Sequence, residues 1–198
     1  MIRPGLRPAS VMSTNHFGDH AGIGSDYHAG TTWAPVGQTP VLSDDVVSDD
    51  EVTATGARHS LNMISAVTAQ GLLRFSTYTG SLTGARFIEF CRKLMHDTAG
   101  PVYLVVDGHP VHRSKLVKQF VASTDRQLKL FVLPAYSPQL NPDEWVWKNV
   151  QHDRVGRTSV TGPDEFKAKI VGALRRLQKM PHIDRAFFAD PDLRYITA

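Results

Sequence analysis

PVYLVVDGHPVHRS (residues 101–114) and KLFVLPAYSPQLNPDEWVW (residues 129–147) decide how this chain is read. Val102 to Val106 is an unbroken apolar run, short enough for a strand and apolar enough to be buried on both faces, as in a central parallel strand. Asp107 stands at its carboxyl end, and Gly108 and Pro110 break the strand at once. In open α/β sheets, the crevice beyond the carboxyl ends of the strands is where ligands bind. Leu128 to Leu133 reads as a second buried strand. Pro134, Pro138 and Pro142 then hold the backbone extended until Asn141 can cap a helix with Pro142 at its first position, which sets Glu144 in the first turn.

Two acids at the ends of a strand and a helix can be read in two ways. Hard divalent cations take oxygen ligands, and a pair of such ions can clamp both ends of a phosphodiester displacement. Alternatively, Asp-Gly is a common turn, and Asn-x-x-Glu is a capping box in which Glu144 bonds back to the Asn141 amide. Asp143 and Glu144 are adjacent, about 100° apart on a helix, so only one of them can face a site.

The runs VVDGHPVHRSKLV, LPAYSPQLNPDEWVWKNV and DYHAGTTWAPVGQTP resemble the bacterial insertion-sequence transposases of the mariner superfamily, insertion-sequence 630 type. That resemblance implies a ribonuclease-H-like fold carrying a triad of two aspartates and a glutamate. Asp107 matches the second family aspartate and Glu144 the glutamate of Asn-Pro-x-Glu, with 36 residues between them. The first family aspartate lies in Phe-x-Asp-Glu-Ala-Gly, matched here by FGDHAG, which places it at Asp19 and puts His20 where the family has glutamate. The similarity runs from about Phe17 to about Arg154, and SPQLNPDE is its most specific part. It implies two magnesium ions, with manganese able to substitute, held by Asp19, Asp107 and Glu144. It further implies double-stranded DNA as substrate at transposon ends and target, strand transfer by the freed 3′-hydroxyl, a homodimer, and end recognition by a helix-turn-helix region, here expected on a separate polypeptide. A remnant that only binds DNA, or another nuclease of the same fold, is the alternative.

The 198 residues suit one ordinary domain. The single cysteine, Cys91, excludes a disulfide framework and a cysteine-based zinc site. No apolar run approaches a membrane span and no secretory core opens the chain, so the cytoplasm is the expected compartment. A formal charge of +3 understates the basicity, because five acids fall between Asp44 and Glu51; the other 14 against 22 basic residues leave +8. A basic body is what phosphate binding requires.

Residues 1–16 are expected to form an arm, 17–180 the catalytic domain with an acidic loop insertion at 43–52, and 181–198 a tail. Met12 to Phe17, MSTNHF, lacks the β-branched residues a central strand favours, so Asp19 is expected to be loosely held. His16, Asp19 and His20 could alternatively gather a transition metal, since imidazole and carboxylate suit zinc or iron. Asp26 to Pro40 reads as a hairpin around Trp33, a packing anchor before a base-stacking platform. Arg58–Val67 and Leu72–Tyr78 read as a hairpin about Ala69–Gly71. Thr83 caps a helix whose Phe87, Phe90, Cys91, Leu94 and Met95 share one face, which makes Cys91 packing and not a nucleophile. A second helix turns Leu116, Val117, Phe120 and Val121 inward. His109 and His112 flank its start, either fixing the turn or touching Asp107 or phosphate. A last helix, Pro163 to Met180, buries Phe166, Ile170, Val171, Leu174 and Leu177.

The expected architecture is α/β: a three-layer ribonuclease-H-like fold with a mixed five-stranded sheet and helices on both faces. His112, Arg113, Lys148, Lys167, Arg175, Arg176 and Lys179 are the candidate DNA contacts. Binding to DNA should be weak, indifferent to sequence, and reduced by orders of magnitude between roughly 50 and 200 mM salt, as counterion release dictates. Fluorescence anisotropy with two unrelated duplexes measures this; a footprint on one sequence at physiological salt would contradict it.

Overall fold

The computed structural model describes residues 14–24, 60–134, 137–151, 162–193 and 196. The expectations for the arm before Thr14, the segment around Trp33 and the acidic loop at 43–52 lie outside these residues. Five strands form one sheet: β1 (Thr14–Gly24), β2 (Ser60–Val67), β3 (Leu73–Tyr78), β4 (Val102–Val106) and β5 (Leu128–Val132), in the order β3-β2-β1-β4-β5. The first three are antiparallel to one another, and β4 and β5 run parallel to β1. This is the expected mixed α/β sheet.

Alternation along the strands feeds two cores. Ile64, Ala66, Val102, Leu104 and Val106 pack under α1 (Gly84–Asp97) and α2 (Lys115–Ala122). Phe17, Met63 and Val67 pack on the other face with α3 (Asp143–Val150), α4 (Pro163–Gln178) and the short α5 (Pro181–Ala186). The Thr83 cap of α1 forms as read, accepting the Arg86 N–H at 3.3 Å. Cys91 is buried in that helix and burial pushes its thiol up to about 12, which confirms it as packing. No helix among the described residues is long and apolar enough to cross a membrane.

The polar first strand occupies the middle of the sheet, and Asp19 is buried in it at 7% exposure. Two neighbouring strands supply what side-chain propensity does not. Phe17 and Ile23 are buried, and the buried His16 turns Nδ1 to the Thr14 carbonyl at 3.2 Å. Gly18 permits close approach: a Cβ there would stand 3.0 Å from the Ser65 carbonyl and 3.2 Å from Leu104 Cδ1.

Three expectations are corrected. β5 is an edge strand, not a buried one, with Phe131 49% exposed, because only its Leu128 side meets the α1/α2 layer. In β4, Tyr103 and Val105 are half-buried, since the helices of the other layer lie mainly over β1 to β3. Leu116 is 51% exposed and lies along Gly84 at the start of α1, while Val117 takes the inward place on α2. Part of the expected C-terminal tail packs against the sheet: Phe188 and Leu193 are buried, and Phe188 meets Phe17 edge-to-face at 5.8 Å. Gly71, at φ +81° in the β2–β3 turn, is fixed by this segment, because a Cβ would fall 2.2 Å from the Pro181 carbonyl oxygen.

Asp184 on α5 is buried, and neither carboxylate oxygen has a hydrogen-bond partner among the described residues. Burial pushes it up to about 7. An acid raised in the folded state stabilises the fold while both states are protonated, and that stability is lost as pH climbs from the ordinary carboxylate range to about 7. Asp184→Asn should therefore melt at the same temperature as the parent near pH 4 and about 5 °C higher near pH 8, by scanning calorimetry.

Candidate active site

Pairing between β1 and β4 ends at Gly18 opposite Val106, so Asp19 and Asp107 are the next residues on two adjacent parallel strands. β1 runs on while β4 stops, and Asp19 remains paired on its other side with Ser65 of β2. Asp19 Oδ1 accepts the His20 N–H at 2.7 Å. Asp107 is oriented by the turn it starts: Oδ1 accepts the His109 N–H at 3.3 Å and lies 3.1 Å from His112 Nδ1. His109 in turn accepts the Val111 N–H on Nδ1. The two histidines thus fix the turn, and His112 also touches Asp107.

Glu144 arrives on α3. Asn141 Oδ1 accepts the Asp143 N–H at 3.2 Å, so Asn141 caps this helix as read. The capping box does not form, because the Asn141 N–H goes to the Pro138 carbonyl at 2.9 Å and Glu144 is left to line a cleft. Asn141 is itself buried, and its Nδ2 donates to the Gly18 carbonyl at 3.5 Å, beside Asp19. Asp143 turns the other way, into the protein, where Ser65 Oγ donates to its Oδ2 at 2.5 Å. Asp19 and Ser65 are register partners, so this bond seats the first turn of α3 directly against the Asp19 position.

The cleft has a volume of about 380 Å³ and is lined by Asp107, Gly108, Leu133, Pro134, Ser137, Pro138, Asn141 and Glu144. Its electrostatics are those of crowded carboxylates, of which, among the described residues, Asp107 alone is paired with an imidazole at close range. Burial, then the charges of Asp143 and Glu144, push Asp19 up to about 9, against the opposing His20 N–H and with a further push from Asp107. Burial raises Asp143 well above the carboxylate range despite its bond to Ser65. Burial would raise Asp107 also, but its bond to His112 and the His112 charge outweigh it, and Asp107 lies below its ordinary value. Ligand atoms of Asp19, His20 and Asp107 lie within 4.8 Å of one another. A larger hollow of about 430 Å³ between β3 and α1 gathers no such group; Arg74 there is paired with Asp97 at 3.1 Å and Lys93 with Glu89 at 2.8 Å.

Asp19, Asp107 and Glu144 are therefore brought to one place, whereas the candidate DNA contacts are dispersed. His112 has a side chain 1% exposed and lies beneath Asp107, out of reach of a phosphate, which corrects that expectation. Arg113 is exposed and sets its guanidinium beside Gly108 at the cleft rim. Lys148 lies over the Trp145 ring at 4.3 Å on the outer side of α3. Lys167, Arg175, Arg176 and Lys179 are exposed along α4 and do not line the cleft. Sequence reasoning missed Ser65 and the inward role of Asp143. The adjacency of two acids was the available signal, since the one facing away from the cleft must find a buried partner. The cluster of His16, Asp19 and His20 does not form as such: His16 turns to Thr14, and Asp107 takes its place beside the other two.

Asp19, where β1 parts from β4, and Asp107, at the carboxyl end of β4, join Glu144 from the start of α3 on a sheet ordered β3-β2-β1-β4-β5, the sheet of a ribonuclease-H-like fold. Residues 15–161 match the DDE superfamily endonuclease family, and this chain belongs to that family. Similar solved structures are the Mos1 transposase paired-end complex with left transposon end (14% identity, TM-score 0.53, covering 92% of this chain and 56% of that chain) and the Mos1 mariner paired end complex with Mn (16%, 0.52, 92% and 56%). The Mos1 strand transfer complex is another (14%, 0.51, 87% and 54%). At these identities the likeness is one of fold, and this chain spans a little over half the length of those chains. No curated protein matches the chain.

Ser65→Ala removes the hydroxyl that donates to the buried Asp143 Oδ2 and should cost about 1–3 kcal/mol in urea unfolding. Asp143→Asn, which keeps a group able to pair with Ser65, should lose less. Equal losses from the two substitutions would show that the pair does not seat α3.

Proposed function

We propose that this chain is the catalytic domain of a DNA transposase, related to the bacterial insertion-sequence enzymes of the mariner superfamily, 630 type, with Asp19, Asp107 and Glu144 as its catalytic carboxylates. The observation that carries the reading is the convergence of these residues, from β1 where it parts from β4, from the end of β4 and from the start of α3, with Asp19 raised to about 9 by burial first and by its negative neighbours second. Such a donor set fits divalent cations, whose charge would remove the repulsion. Asp19, Asp107 and Glu144 would hold two magnesium ions, or manganese in their place, which when bound supply stabilisation of the attacking and leaving oxygens of a phosphodiester displacement.

The remaining work falls to the chain itself. His112 orients Asp107 from below. Asn141 and the Ser65–Asp143 bond hold the start of α3 against β1, which fixes the distance from Glu144 to Asp19. Arg113, beside Gly108 at the rim, would take a backbone phosphate entering the cleft. Lys148 and the α4 cations Lys167, Arg175, Arg176 and Lys179 would extend that track along double-stranded DNA, first the element end and then the target that receives the freed 3′-hydroxyl. Action as a homodimer in the cytoplasm, with a helix-turn-helix polypeptide reading the element ends, completes the reading.

Manganese should raise the melting temperature by mass action and support nicking of a supercoiled plasmid. Asp107→Asn and Glu144→Gln should abolish the shift and lower nicking by at least about 100-fold. Nicking and stabilisation that survive both substitutions would refute the assignment, and DNA binding by the parent without any nicking would favour a non-cleaving DNA-binding protein.

A further inference from the structure

Between Asp19 and Asp107 stands a third donor of different chemistry. His20 follows Asp19 on β1, at the level where β4 has already ended. Its ring centroid is 4.3 Å from that of His109 and 6.4 Å from that of His112, which wall it in on the side of the turn. Nδ1 lies 4.0 Å from Asp19 Oδ1, is buried, and has no hydrogen-bond partner among the described residues. A buried ring nitrogen without a partner is costly, and a metal ion is one of the few species that satisfies it beside two carboxylates.

We infer that His20 is a nitrogen ligand of the cation held by Asp19 and Asp107, and that this position selects a first-row transition dication such as Mn²⁺ or Co²⁺ over Mg²⁺. The mutual distances within 4.8 Å allow all three donors to reach one ion. Imidazole suits the transition ions, whereas Mg²⁺ takes oxygen ligands and keeps its waters, so the mixed nitrogen and oxygen set discriminates by ligand type. Nδ1 of His112 is committed to Asp107 and Nδ1 of His109 to the Val111 N–H, whereas among the described residues it is His20 whose ring nitrogen groups with the carboxylates of Asp19 and Asp107. This inference deepens the metal-centre reading of the cleft and rests on it.

The test is binding by the full chain, without DNA, of Co²⁺, Mn²⁺ and Mg²⁺ by titration calorimetry, with Co²⁺ visible absorption as a ligand-field reading. The parent, His20→Ala, His20→Gln, His20→Glu and Asp107→Asn are compared, each checked for its fold by circular dichroism. His20→Ala and His20→Gln should lower the ratio of Co²⁺ to Mg²⁺ affinity by at least about tenfold and change the Co²⁺ spectrum. His20→Glu should lower the same ratio by strengthening Mg²⁺ binding. An unchanged ratio and spectrum in the folded His20 variants, with binding still lost in Asp107→Asn, would overturn the role of His20 and leave the cleft a metal centre. Absence of binding by the parent, or binding indifferent to Asp107→Asn, would overturn both.

Discussion

The parallel pairing of β1 with β4, and the residue at which it stops, is the constraint on which the cleft depends. Because the ladder ends at Gly18 opposite Val106, the next residue on each strand is an aspartate, and the two emerge side by side where a βαβ crossover leaves an open crevice. One register step would move Asp19 to the other face of the sheet, since side chains alternate along a strand. The glycine at the last paired position permits the tight contact with Ser65 and Leu104 that holds this register.

The second constraint is the seating of α3. Its first turn carries two acids, and a helix cannot point both in one direction. Asp143 takes the inner position on Ser65, and Glu144 takes the cleft. Burying a carboxylate without a full set of partners is expensive, and the rise of Asp143 above the carboxylate range expresses that cost. The same low-dielectric surroundings make the cleft demanding of a cation. Burial first, and then Asp143, Glu144 and Asp107, raise Asp19, while His112 holds Asp107 below its ordinary value.

Apolar runs bounded by breakers established β4 and the start of β5, helical periodicity established α1 and α4, and the prolines and Asn141 established where α3 begins. These are local properties, carried by the period of side chains and by backbones that cannot continue. Asp107 and Glu144 were legible for the same reason, since Asp107 stands just before such a break and Glu144 two residues after Pro142. The resemblance, resting on SPQLNPDE and FGDHAG, added Asp19 and the sheet order.

What no local pattern carries is which side chains meet across the sheet. MSTNHF reads as a poor strand, yet β1 is central, because β2 and β4 satisfy its backbone and cover its polar side chains. Leu128 to Leu133 reads as buried, yet β5 is an edge, because burial depends on the layer above and not on the apolarity of the run. The pairing of Ser65 with Asp143 joins residues 78 apart, and the approach of His20 to Asp107 follows from where a neighbouring strand ends. Sequence determined the elements and the acids at their ends. Tertiary structure decided which acid faces the cleft, which is buried, and which imidazole stands between them, because register and layer packing are set by contacts distant in the chain.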